Sequence, residues 1–70
     1  MKRERLYWQC RRGMLELDYL LREILDQRYD NFSVEEQALL VELLKESDLD
    51  LHAWMVSREL PVPVKYRAII

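Results

Sequence analysis

Apolar residues recur at helical spacing along most of this chain, and no stretch alternates with the two-residue period of a strand. Leu6, Tyr7 and Cys10 fall on one face of an opening segment, Arg3 to Arg12, and Gly13 stands where a left-handed helix cap would stand. Met14, Leu17, Leu21 and Ile24 then form a stripe, widened by Leu20 and Leu25, with Glu16, Asp18, Glu23 and Asp26 on other faces. This pattern predicts the longest helix, from Met14 to about Tyr29. Ser33 followed by Glu36 has the spacing of a capping box and predicts a third helix to about Lys45, burying Leu39 or Leu40 with Leu43 and Leu44. Ser47 or Asp48 starts a fourth, running to about Arg58 with Leu51, Trp54 and Met55 inward. The "LPVP" stretch cannot continue a helix, which leaves "VKYRAII" as a short helical turn or an ordered tail. The expected fold is all-α, a compact bundle of four to five short helices in a single domain, residues 1–70.

Composition narrows the possible functions. Seventy residues are too few to enclose a deep catalytic cavity. The lone cysteine, Cys10, excludes an internal disulfide and reads as a small buried hydrophobe, which favours the cytoplasm. Apolar runs are four residues or fewer, so no segment is expected to span a membrane. The N-terminus lacks the apolar centre of a secretory signal, and the chain reads as mature. One histidine, His52, expected at the surface in the first turn of the fourth helix, stands forty-two residues from Cys10. That pair supplies neither a metal set nor a nucleophile with its base, so no metal and no catalytic residue is expected. With Gly13 the only glycine, no phosphate-cradling loop exists for a dinucleotide.

Charge is uneven. Lys2, Arg3, Arg5, Arg11 and Arg12 against Glu4 give the first twelve residues a balance of +4. Residues 13–59 carry twelve acids against four bases, or −8. The acidic body would repel a phosphate backbone, and no extended basic stripe is present, so nucleic acid is not the expected partner.

What remains is "RRGMLELD". Gly13 permits positive φ between two helices, and Glu16 favours the positive end of the second helix dipole. A functional reading adds that Arg12 and Glu16 put a cationic fork and a carboxylate beside backbone that another protein could approach closely. Trp8 competes with Leu6, Tyr7 and Cys10 for the inner face of a short helix and is left as a candidate interface anchor.

The wording "WQCRRGMLELDYLL" resembles the small bacterial flavinylation factors of the SdhE family and is similar to the mitochondrial succinate dehydrogenase assembly factor 2, whose hallmark is R-G-x-x-E. Here that motif is Arg12, Gly13, Met14, Leu15 and Glu16. "DLDLHAWM" matches a further D-L-x-x-W segment at Asp50, Leu51 and Trp54, so the resemblance covers about residues 6 to 58. It implies a small helical bundle, usually of five helices, that binds the flavoprotein subunit of succinate dehydrogenase and promotes covalent attachment of FAD to a histidine of that subunit. Fumarate reductase flavoprotein is a further implied client. The attachment is self-catalysed by the client, so the chain is expected to be no enzyme and to hold no FAD stably itself. The implied partner-binding residues are Trp8, Arg11, Arg12, Gly13, Glu16 and Asp18. An antitoxin-like regulatory protein is the competing reading. Family members carry a longer last helix and a polar tail, whereas this chain stops soon after "PVPVKYRAII", which leaves a fifth helix open.

Overall fold

In the computed structural model, which describes residues 3–70, the apolar stripe of the longest helix organises everything else. Helix α2, Leu15–Gln27, buries Leu17, Leu21, Ile24 and Leu25, with Met14 and Leu20 half-buried beside them. Helix α1, Arg3–Gln9, packs against it through Leu6, helix α4, Asp48–Met55, through Leu51 and Met55. Helix α3, Val34–Leu43, contributes Leu40 and Leu43, with Leu44 just beyond its end. Among the described residues there are four α-helices and no strand, as the hydrophobic periodicity predicts. Lys2, counted in the basic arm, lies outside the described residues.

The caps account for the helix starts. Ser33 Oγ accepts from the Glu36 amide at 3.1 Å while the Glu36 carboxylate accepts from the Ser33 amide at 2.9 Å, closing the predicted capping box. Of the two candidates for the fourth start, Ser47 is the cap, its hydroxyl accepting from the Asp50 amide at 3.2 Å. The helix ends come earlier than periodicity alone suggests. Helix α1 closes at Gln9 rather than Arg12, and α2 gives way to a 3-10 turn, Tyr29–Asn31. Helix α4 ends at Met55 rather than Arg58, and Arg58 itself lies in the left-handed region at φ 57°, where the helix cannot continue. With Ser47 as the cap, His52 is the fifth residue of α4 and sits in its second turn rather than its first, half-buried, with its carbonyl accepting from Val56 and Ser57.

The segment after the prolines is ordered and completes the core. A 3-10 turn, Val64–Tyr66, replaces a fifth α-helix and packs against α3. Tyr66 and Ile69 are fully buried, and the Tyr66 hydroxyl donates to Glu46 at 2.7 Å. Trp54, expected on the inner face, is only half-buried and lies over Tyr66 with ring centroids 5.9 Å apart. Arg28 fastens the tail to the end of α2 by donating to the carbonyls of Ile70 and Ala68.

Cys10 is the buried hydrophobe its context suggests. Burial pushes its thiol up from 9.0 to about 11, against the pull of Arg12 and Arg22. The folded state therefore holds the proton more tightly than the unfolded chain. That contribution to stability is complete below pH 9 and is lost as the pH rises from there through about 11. Cys10→Ala is expected to flatten this alkaline decline relative to the wild type in denaturant titrations at successive pH values. Parallel declines in the two proteins would show that the thiol does not contribute.

Candidate docking site at the Arg12–Gly13 turn

Between α1 and α2 the chain reverses through Cys10 to Met14. Cys10 ends the first helix by donating to the Leu6 carbonyl at 3.0 Å, and Arg11 donates to the Trp8 carbonyl at 3.2 Å. Gly13 follows three residues after Cys10 with φ 78°, immediately before the α2 N-cap, Met14. It is thus the pivot of the connecting turn and not the cap of α1. Positive φ is what the position demands of a residue without a side chain. A Cβ added there would meet nothing within 4 Å, so the backbone faces open space.

Two acids from the first turn of α2 have separate fates. The Asp18 carboxylate folds back under the turn and accepts from the Arg12 amide at 2.8 Å and the Gly13 amide at 3.2 Å. Glu16 is exposed, and among the described residues its carboxylate accepts no hydrogen bond and forms no ion pair. Both still sit where the helix dipole favours negative charge.

Arg12 departs from the sequence expectation. A cationic fork beside Gly13 is predicted, but the guanidinium turns inward and its side chain is only 14% exposed. It reaches the corner between α3 and α4, where Nη1 donates to Asp48 at 3.0 Å and to the Glu46 carbonyl at 3.3 Å, and Nη2 donates to the Leu44 carbonyl. These carbonyls belong to the end of α3 and the loop after it, which explains the attraction: helix ends leave backbone acceptors without internal partners. Nε is buried without a partner.

The outward side of the turn carries a concentration of apolar surface. Trp8 is 69% exposed, Leu15 91% and Tyr19 64%, and these three border one open groove with Arg11 and Arg22. Arg11 stacks over the Trp8 ring with 5.7 Å from guanidinium carbon to centroid. Tyr7, also lining the groove, donates its hydroxyl to Asp26. The structure therefore leaves Trp8, Arg11, Gly13 and Glu16 accessible, with Trp8 and Arg11 in one groove, places Asp18 under the turn at the groove's edge, and takes Arg12 away. Leu15 and Tyr19 escape a search for motifs, although their position off the Leu17, Leu21, Ile24 stripe would have marked them as exposed. The D-L-x-x-W segment belongs elsewhere, since Leu51 is core and Trp54 packs on Tyr66.

Exposed aromatic and aliphatic groups ringed by arginine and carboxylate, close in sequence to the exposed Gly13 turn, make this a candidate protein-docking surface. Among the described residues no group of three or more His, Cys, Asp or Glu could hold a metal, and no helix is long and apolar enough to cross a membrane. The chain is a small all-α helical module. More particularly, residues 4–70 match the family described as flavinator of succinate dehydrogenase, and the chain belongs to that family.

Similar proteins carry the name FAD assembly factor SdhE. The chain is 46% identical over 57 residues to that of Idiomarina loihiensis, covering 81% of this chain and 63% of the relative. It is 40% identical over 67 residues to that of Shewanella oneidensis, covering 94% and 82%. With the protein of Colwellia psychrerythraea it shares 37% identity over 70 residues, covering 100% and 77%. The chain thus spans 63% to 82% of the length of these relatives. No solved structure matches it.

Proposed function

We propose that this chain binds the flavoprotein subunit of succinate dehydrogenase and promotes covalent attachment of FAD to it. The observation that carries this reading is the exposed surface of Trp8, Leu15 and Tyr19 on the two helices joined by the open Gly13 turn, in a chain belonging to a flavinator family. The chain acts by holding its client. Ordering reacting groups within a partner is itself worth several kcal/mol of barrier. FAD stays with the client. The one glycine-bearing turn is unsuited to a phosphate, because the Arg12 and Gly13 amides are already taken by the Asp18 carboxylate, which would repel the anion. Fumarate reductase flavoprotein, with related chemistry, is a second client, and the meeting takes place in the cytoplasm.

The test is reconstitution of the purified flavoprotein subunit with FAD, with and without the chain, followed by denaturing electrophoresis and in-gel flavin fluorescence. Covalent label is expected to rise with the chain present. Glu16→Ala, which removes an exposed side chain with no internal partner among the described residues, is expected to lower that gain at least tenfold at unchanged thermal stability. Equal labelling with and without the wild-type chain would defeat the proposal.

A further inference from the structure

The turn that presents Gly13 is short of restraints of its own. Glycine is the least conformationally restricted residue, and the following Met14 provides no side-chain cap for α2. Yet the turn is fixed from two sides. From below, both oxygens of Asp18 are occupied, one by each of two successive amides. Such charge-assisted bonds are stronger than neutral ones, and paired amides closing on one anion fix the backbone between them. From the side, Arg12 crosses to residues 32 to 36 positions away in sequence and ties the turn to Leu44, Glu46 and Asp48.

We infer that Asp18 and Asp48 are positioning residues for flavoprotein docking: acting through the turn amides and through Arg12, they hold the Gly13 backbone open and aim Glu16. This inference rests on the function proposed above and deepens it. Its physical basis is preorganisation. A docking loop already held in its bound shape surrenders less conformational freedom on association, so affinity rises without a new contact. The arrangement also divides the motif. Gly13 and Glu16 meet the partner, whereas Arg12, one residue before the glycine, works inward.

Asparagine at either position keeps size and removes the charge. At Asp18 it also replaces one acceptor oxygen by an NH2 group that cannot receive the second amide. The experiment uses the full chain, nitrogen-15 labelled, with three variants: Asp18→Asn, Asp48→Asn, and Asp50→Asn as a charge control. Asp50 is exposed in the first turn of α4, and among the described residues its carboxylate is outside the Arg12 contacts. Amide exchange and chemical shifts of Arg12 and Gly13 report the turn, and affinity for the purified flavoprotein subunit reports docking. Asp18→Asn is expected to speed exchange of the Gly13 amide about tenfold or more and to weaken binding by a similar factor, with unchanged helical circular dichroism. Asp48→Asn is expected to do both by a few fold, and Asp50→Asn neither. Glu16→Ala should weaken binding less in the Asp18→Asn background than in the wild type, because a carboxylate that is no longer aimed has less to lose.

Wild-type affinity in an Asp18→Asn chain whose Gly13 amide exchanges faster would overturn the inference. Lost affinity with the Gly13 amide undisturbed would overturn it too, by making Asp18 a direct contact. Failure of the wild-type chain itself to bind the flavoprotein would instead remove the functional reading beneath it.

Discussion

Gly13→Arg is expected to abolish flavoprotein binding and covalent flavin attachment in a protein that still melts cooperatively and stays helical. The fold should survive because a Cβ at this position meets nothing within 4 Å, so the substitution inserts no atom into the core. The remaining penalty is the positive φ of 78°, worth about 1–2 kcal/mol for a residue with a side chain. The partner is affected far more. An arginine standing where the bare backbone is approached holds the two surfaces apart, and Trp8, Leu15 and Tyr19 lose contact together. Gly13→Ala separates the two effects, since it carries the same φ penalty with only a methyl group. It is expected to share most of the stability loss while retaining much of the binding. A folded Gly13→Arg protein supporting normal flavin attachment would remove this turn from the interface.

Arg12→Ala is expected to reduce stability by about 1.5–3 kcal/mol, the range for hydrogen bonds made by a charged group, and to depress flavin attachment as well. The reason is the inward guanidinium. Its removal leaves the carbonyls of Leu44 and Glu46 without their donor and Asp48 without its counter-charge. Asp48 is about half exposed, so water compensates part of its loss and the carbonyls carry most of the effect. In a domain of this size the change corresponds to a melting point lower by roughly 10–20 °C. Arg12→Lys should rescue little, because one ammonium cannot reproduce two guanidinium nitrogens reaching three separated oxygens. Sequence alone suggests the opposite, since Arg12 lies at a helix end off the apolar stripe, where truncation would spare the fold. A melting point within about 2 °C of the wild type would restore that simpler view.

How far the chain could be read without coordinates follows the range of the interactions concerned. The stripe of Leu17, Leu21, Ile24 and Leu25 and the Ser33–Glu36 capping box are determined by residues within a few positions of each other, and both form as predicted. The burial of Cys10 likewise follows from its neighbours on one short helix. Helix ends were less legible. Helix α4 stops short of Arg58, whose positive φ nothing in its residue type announces. The tail was least legible, since Tyr66 and Ile69 become core only when α3 and Glu46 are there to receive them.

The sequence by itself determined an all-α chain, the order of its helices, and the motif Arg12, Gly13, Glu16 that announces its family, because helical periodicity, caps and motif spacing are all local. Only the tertiary structure decided the direction of each motif side chain. Arg12 points inward because α3 and α4 meet at a corner whose carbonyls lack donors, and Asp18 faces the turn because the chain reverses onto it. Glu16 remains outside because its carboxylate finds no internal partner among the described residues, and the Gly13 backbone, its amide held by Asp18, stays exposed because no other element covers it. Whether a charged side chain holds a fold together or is offered to another protein depends on which unsatisfied groups stand within its reach, and here those groups come from residues more than thirty positions away.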